Sequence, residues 1–121
     1  MNYKIKVYYE TGDSFGHHDA EDFLGPTWHS LEKAQKALHR IKEHYDWYES
    51  RQSRWSSRPD EVALPKPSWH HGPYEMSIFF ELDNGNEVQL LAFWCGYFEK
   101  LYSAEIVSDD EDMKIEFNRK Y

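Results

Sequence analysis

The spacing of apolar residues between positions 31 and 48 constrains the fold more than any other feature. Leu31, Ala34, Leu38, Ile41, Tyr45 and Tyr48 follow one another at intervals of 3, 4, 3, 4 and 3 residues. This spacing places the side chains along one stripe of an α-helix, and it predicts a helix over about 31–49. Ser30 precedes the stripe and is a suitable N-cap for the first free amides of the helix. A helix with one apolar stripe must cover it with a second layer of secondary structure.

Alternating apolar and polar residues predict the strands of this second layer. The first pattern comprises Tyr3, Ile5, Val7 and Tyr9, and later ones lie within residues 74–82, 88–94, 102–108 and 113–117. A period of two is typical of strands with one buried face. We predict an α+β fold in the order β-α-β-β-β-β, a single domain over residues 1–121. Its antiparallel-dominated sheet has four or five strands, with the helix packed on one face.

Residues 83–86 predict a hairpin turn, because an Asn-Gly pair favours tight turns between strands. A two-residue loop would place Glu87 on the face that carries Phe80, which mixes charged and apolar side chains. A three-residue loop that ends at Gly85 in a left-handed bulge instead keeps the two apolar faces together. We predict this second register, with the pairs Phe80–Val88, Ile78–Leu90 and Met76–Ala92.

The charge balance argues against a general binder of nucleic acids or of anionic membranes. The chain has 14 Lys and Arg against 22 Asp and Glu, a formal net charge of −8. Phosphate groups would therefore be repelled overall. Residues 10–24 carry five acids and no Lys or Arg, whereas residues 30–59 carry seven bases and four acids. Such segregation is typical of segments that meet one another or a partner.

The single cysteine, Cys95, cannot form an internal disulfide, which suits a reducing compartment. Residues 1–10 lack the apolar stretch of a secretory signal peptide, and no run of residues has the length and apolar character of a membrane span. We therefore expect a soluble, cytoplasmic protein. Because Cys95 ends an apolar strand pattern, it is more typical of a small buried hydrophobe than of a nucleophile.

A long Pro- and Trp-rich loop, residues 51–73, is inserted between the predicted helix and the second strand. It holds four of the five prolines, and long connections without secondary structure are usually either disordered or functional. Disordered segments are usually poor in Trp, so we favour an ordered binding loop over a flexible linker. Its candidate partner-binding residues are Arg54, Trp55, Trp69 and His70.

The stretch ETGDSFGHHDAED, residues 10–22, places two adjacent histidines among acids. Metal ligands usually lie two to four residues apart on a turn or four apart on a helix, so His17 and His18 do not favour a metal site. The glycine motifs of phosphate-binding loops are lacking, and the acids would repel an anion. We interpret the stretch as a strand-ending turn followed by an acidic loop. Its candidate partner-binding residues are Asp13, Asp19, Glu21 and Asp22.

Catalytic chemistry has no positive signal in the sequence. No pair among the 22 acids stands out as an acid–base couple, and no histidine spacing identifies a base for Cys95. We therefore predict a non-enzymatic protein without catalytic residues, bound metal or cofactor.

Three segments resemble small accessory proteins encoded by tailed bacteriophages: YETGDSF at 9–15, TWHSLEKAQKALHRIKEHYDWY at 27–48 and FWCGYFEKLYSAEIV at 93–107. The resemblance covers much of the chain but not the loop 51–73. Such proteins carry no established catalytic motif, so the resemblance transfers no functional residues. It implies a phage accessory protein that acts in the host cytoplasm.

The leading hypothesis from these patterns is a phage protein that binds and inhibits a host bacterial protein, a component of an antiviral defence system. Acids of residues 13–22 would steer it toward a basic surface, and Trp55 and Trp69 would supply buried contact. The alternative is a protein that sequesters a small, nucleotide-like signal with the aromatic and basic side chains of the loop. A metal-dependent enzyme is the least favoured hypothesis. Whether the protein forms a homodimer stays open, because oppositely charged segments can pair within a chain or across a two-fold axis.

Overall fold

The computed structural model describes residues 2–13, 15–52, 64–71, 76–94, 99–108 and 115–118. Their elements are β1 (Tyr3–Asp13), β2 (Gly16–Trp28), α1 (Leu31–Gln52), β3 (Ser77–Glu81), β4 (Glu87–Leu91), β5 (Lys100–Ser108) and β6 (Ile115–Asn118). One sheet has the strand order β2-β1-β5-β6, and we call it the main sheet. The strands β3 and β4 form a separate hairpin. All of these neighbouring strands pair antiparallel.

The predicted α+β class, with one helix packed on antiparallel strands, is confirmed within the described residues. The helix α1 contacts β3 of the hairpin and also β1, β2 and β5 of the main sheet. The predicted element order is wrong in one respect, because the chain begins β-β-α rather than β-α.

The difference lies in residues 16–28, whose acidic sequence predicts mainly a loop. They form the strand β2, which pairs along β1 from Asp13–Gly16 through Tyr9–Ala20 to Ile5–Leu24. Side chains from residue 16 to 23 are exposed except at Ala20, which is half-buried, and burial begins only at Leu24. A strand that is exposed on both faces lacks apolar alternation, and this is why its sequence does not look like a strand.

The helix prediction is confirmed, and α1 extends to Gln52. Ser30 caps it: the backbone N–H of Lys33 donates to Ser30 Oγ at 3.4 Å, and that of Ala34 donates to the Ser30 carbonyl at 3.1 Å. Its predicted stripe faces inward, with Leu31 and Tyr48 at the two ends only partly buried.

The core lies between α1, the hairpin and one face of the main sheet. Its fully buried large side chains include Ile5 and Val7 of β1, Trp28 at the end of β2, Ile41 of α1, Ile78 and Phe80 of β3, Trp94 after β4, and Leu101 and Ile106 of β5. We call this face of the main sheet the inner face.

The predicted three-residue hairpin loop is confirmed. Phe80 pairs with Val88 and Ile78 with Leu90, and the N–H of Ala92 donates to the Met76 carbonyl at 2.7 Å. Gly85 has φ of 89°, the left-handed conformation that the bulged turn requires. This register keeps the hairpin's apolar side chains together beneath α1.

The hairpin is joined to the start of α1 by polar contacts. The Asp83 carboxylate accepts hydrogen bonds from the backbone N–H groups of His29, at 2.9 Å, and Ser30, at 3.3 Å. Glu81 forms ion pairs with Lys33 and with Lys36. The hydrogen bonds that these lysines donate to its carboxylate lower the pKa of Glu81 to about 2. These contacts join the hairpin to the residues between β2 and α1 and to the beginning of the helix.

Candidate binding surface

The face of the main sheet opposite α1 carries polar and aromatic side chains, and we call it the outer face. Directly opposed residues of antiparallel strands point to the same side, and Tyr8 of β1 opposes Glu21 of β2 and Ser103 of β5. The outer face includes Lys4, Lys6, Tyr8 and Glu10 of β1, Asp19, Glu21 and Phe23 of β2, and Tyr102 and Glu105 of β5. No described helix covers these side chains.

Two tyrosines of the outer face donate hydrogen bonds to carboxylates on neighbouring strands. The Tyr8 hydroxyl donates to Glu105 Oε1 at 3.0 Å, and the Tyr102 hydroxyl donates to Glu10 Oε2 at 2.5 Å. The β1–β5 register shifts between Tyr8 and Tyr9, so Tyr102 is an extra residue in β5. A bulge of this kind can redirect a side chain, and here the Tyr102 ring reaches Glu10.

The pKa of both phenols is raised above its ordinary value. Burial, followed by the hydrogen bond to Glu105, raises the pKa of Tyr8. The hydrogen bond to Glu10 is the main reason that the pKa of Tyr102 is raised well above its ordinary value, and burial and the charges of Glu10 and Asp19 raise it further. The hydroxyls therefore act as donors, and the surface presents its negative charge on the carboxylates.

A shallow depression of about 360 Å³ lies on this face, and it is lined by Tyr8, Asp19, Ala20, Glu21 and Tyr102. Two aromatic rings and two carboxylates thus surround one hollow. Carboxylates attract a cationic group, and the faces of aromatic rings attract it also. The hollow is suited to the side chain of a Lys or an Arg.

Lys6 illustrates how such a cation binds at the edge of the depression. Its Nζ lies 3.4 Å from Glu21 Oε1 and 5.4 Å from the centre of the Tyr8 ring. Lys4 lies over the Phe23 ring in a similar way, 5.4 Å from its centre. Both contacts combine an ammonium with an exposed or half-exposed aromatic ring.

The acids predicted to contact a partner within residues 13–22 do not all lie on one face of the sheet. Asp19 and Glu21 lie on the outer face, whereas Asp22 opposes Val7 and therefore points to the other side of the sheet. Asp22 Oδ1 accepts a hydrogen bond from the Phe23 N–H at 2.8 Å. Asp13 lies at the end of β1, opposite Gly16. The strand period of two places Asp19 and Glu21 on a different face from Asp22, and the expectation that the four acids contact a partner stays a prediction.

Trp69 and His70 lie beside α1, in the aromatic cluster formed with His44, Trp47 and Phe79. His70 is 5% exposed, and its ring stacks on His44 with centroids 5.8 Å apart. The expectation that His70 contacts a partner is therefore corrected, because its ring is enclosed by other rings. Trp69 is partly buried against the core, and Arg40 lies over it at 5.3 Å.

The stacked histidines of this cluster are neutral at physiological pH. Burial, followed by the charge of His70, lowers the pKa of His44 to about 3. Burial, followed by the charge of Lys66, also lowers the pKa of His70. The cluster thus holds residues 64–71 against the helix rather than presenting charged imidazoles. Arg54 and Trp55, the other two predicted loop contacts, lie outside the described residues.

Tyr8, Glu10 and Tyr102 also belong to this surface, although they were not among the predicted contact residues. Tyr8 and Glu10 are even-numbered positions of β1, whose odd positions from Tyr3 to Tyr9 are apolar or aromatic, and this alternation could have identified them. Tyr102 depends on a register shift between β1 and β5, for which the sequence carries no clear signal.

Among the described residues, no group of three or more His, Cys, Asp or Glu side chains is arranged to hold a metal ion. No helix in this part of the chain is both long and apolar enough to cross a membrane. The chain matches no protein-family model, no curated protein and no solved structure. The resemblance to phage accessory proteins therefore stays a prediction.

Proposed function

We propose that the chain is a non-enzymatic, phage-encoded inhibitor that binds a basic surface of a host protein, a component of an antiviral defence system, through its outer face. The observation that supports the binding surface is the depression with two tyrosines, Asp19 and Glu21. The phage context and the defence system are supported by the sequence resemblance alone. Binding inhibits the host protein if the chain covers a surface that the host protein needs for its own activity.

The internal contacts of Lys6 support the choice of a basic partner. Lys6 already binds Glu21 and the Tyr8 ring from within the chain. Asp19 and the Tyr102 ring, which also line the depression, offer the same combination of carboxylate and aromatic ring. A Lys or Arg of the partner can bind there without displacing Lys6. Such contacts favour rapid docking and orientation more than raw affinity.

The geometry of the chain favours a surface contact over chemistry at this site. Burial raises the pKa of Tyr8, and the hydrogen bond to Glu10 raises the pKa of Tyr102, each above an ordinary value of 10.0, so neither tyrosine is prepared to act as a base near neutral pH. The proposal therefore assigns the depression to recognition of a partner.

Affinity capture from bacterial lysate tests the proposal. Tagged wild-type protein is compared with Asp19→Asn/Glu21→Gln, which removes two charges with little change of shape, and with Glu32→Gln/Glu43→Gln, which removes two charges from α1. We expect wild type and the helix variant to capture the same host polypeptide, and the outer-face variant to capture much less of it.

The captured polypeptide is then assayed for its own activity with and without the wild-type chain. Loss of that activity is the expected result, and unchanged activity would exclude inhibition. Mass spectrometry of small molecules released from the purified protein serves as the second readout. A released nucleotide-like compound without a captured polypeptide would favour the sequestering alternative instead.

A further inference from the structure

The strand β2 forms an outer edge of the main sheet. It pairs with β1 on one side, and no described strand pairs with its other side. β2 is 13 residues long, whereas the strand at the opposite edge, β6, has four. The unpaired backbone groups of a long edge strand are a template for a further strand. Residues 16–23 are exposed except Ala20, which is half-buried, and this exposure leaves the edge accessible.

We infer that the β2 edge binds an extended, basic segment of the partner protein as an added β-strand. This inference rests on the proposed function, because it states how the partner's basic residues reach the outer face. Backbone hydrogen bonds along β2 would supply affinity, and the side chains on either side of the edge would supply selectivity.

The order of side chains along β2 defines the sequence that would fit. A strand added to an edge places its alternate side chains about 4.5–5.5 Å from those of the edge strand. On the outer face these are Asp19, Glu21 and Phe23, in steps of two. The matching strand carries Lys or Arg opposite both acids and an apolar residue opposite Phe23, whose side chain is 50% exposed.

A second copy of the chain is a poor occupant of the same edge. Residues 16–24 contain Asp19, Glu21 and Asp22 and no Lys or Arg. Pairing of two such strands would bring like charges together across the new interface, and directly opposed like charges are destabilising. The same acids therefore disfavour self-association and favour a basic strand.

A peptide of alternating residues, acetyl-TVTKTKT-amide, tests strand addition directly, because in an antiparallel pair it can place Val opposite Phe23 and Lys opposite Glu21 and Asp19. It is titrated into the full chain at low ionic strength, and binding is followed by amide hydrogen exchange. We expect slower exchange, by about tenfold or more, at backbone amides of residues 16–24. The matched control peptide has the same side chains but N-methyl groups on every backbone amide, so it keeps the charge and cannot pair as a strand. It is expected not to bind.

The protein variants supply the second arm. Asp19→Asn/Glu21→Gln should bind the peptide about two- to thirtyfold more weakly, since two opposite-charge pairs are lost. Glu32→Gln/Glu43→Gln should bind it like wild type. Equal binding of the plain and N-methylated peptides would overturn strand addition and leave only charge attraction.

The other outcomes are also decisive. If the peptide does not bind, strand addition is overturned, and the acids only protect the edge from aggregation. If a host polypeptide is nevertheless captured from lysate, the proposed function remains intact although this inference fails. Peptide binding with protection of β2, but without any captured host polypeptide, would support the edge as a strand-binding site and remove the proposed host partner. Sedimentation of the chain without peptide tests for a dimer. If a dimer forms and dissociates when β2 is blocked, a second copy of the chain is the occupant and the inference is overturned.

Discussion

The two faces of the main sheet are built from the same strands but make different kinds of contact. On β1, Ile5 and Val7 are fully buried on the inner face, whereas Lys6 and Tyr8 on the outer face form ion pairs, ring contacts and hydrogen bonds. Because strand side chains alternate, neighbouring residues of one strand serve separate purposes. The inner face should determine stability and the outer face should determine binding.

The largest expected effect comes from the inner face at Trp28. Trp28 is fully buried, its Nε1 donates to the Glu81 carbonyl at 2.8 Å, and its ring meets Phe80 edge-on. Trp28→Ala should lower the free energy of unfolding by about 3–5 kcal/mol, through lost burial and a cavity. Urea denaturation measures it, with Trp28→Phe as a milder control that removes the hydrogen bond and part of the ring. A loss below about 1 kcal/mol would contradict this account of the core.

Acid should weaken the core through His44. In the unfolded chain His44 takes up a proton below its ordinary pKa of 6.5, whereas the folded chain keeps it neutral until about pH 3. Stability is therefore fully present above pH 6.5 and is lost as the pH falls toward 3. From about pH 7 to about pH 5 we expect the free energy of unfolding to drop by about 2 kcal/mol from His44.

Urea denaturation at several pH values measures this slope, and His44→Phe, which keeps an aromatic ring in the cluster, should flatten it. Glu81 contributes little in this window, because its ordinary pKa of 4.5, which applies in the unfolded chain, lies below it; the stability that comes from its folded pKa of about 2 is lost mainly below pH 4.5. A slope that is unchanged in the His44→Phe variant would assign the acid sensitivity to another group.

A smaller loss is expected at Gly25, where β2 turns inward toward the core. Gly25 has φ of 91°, and an added Cβ would lie 3.0 Å from Trp28 Cη2 and 3.2 Å from the Phe80 ring. Gly25→Ala should cost about 1–2 kcal/mol through the left-handed backbone conformation, with some further crowding of the rings. Gly16→Ala is the matched control, because a Cβ there meets no atom within 4 Å. Thermal unfolding compares the two, and equal losses would contradict the assigned strain.

The smallest effect on stability is expected from the outer face. Asp19→Asn/Glu21→Gln should change the free energy of unfolding by less than about 0.5 kcal/mol, because both side chains are exposed. Urea denaturation measures it beside the helix control Glu32→Gln/Glu43→Gln. A loss above about 2 kcal/mol would show that the outer face also determines the stability of the fold.

Local sequence patterns predicted the helix and the hairpin, because both depend mainly on residues that are close in sequence. The helix follows from its apolar stripe and the Ser30 cap, and the hairpin register follows from the one loop length that keeps Phe80 and Val88 together. The strand β2 could not be predicted in the same way. It is held by backbone pairing to β1 and by burial that begins only at Leu24, and neither leaves an alternating pattern in residues 16–23.

The candidate surface was predicted in part, for the same reason. Asp19 and Glu21 were identified from the density of acids, but their separation from Asp22 depends on β2 being a strand. Trp69 and His70 were expected to face a partner because aromatic loops often do, yet His70 lies within a cluster of rings beside α1. Long-range packing decides which way such side chains point, and local sequence carries little information about it.

The dissociation constant of the captured host polypeptide tests the central claim most directly. It is measured by calorimetry for wild type, for Asp19→Asn/Glu21→Gln and for Glu32→Gln/Glu43→Gln, at low and at raised salt. We expect the outer-face variant to bind about two- to thirtyfold more weakly and to lose part of the salt dependence, while the helix variant binds like wild type. Equal affinity of all three proteins would contradict the assignment of binding to the outer face of the main sheet.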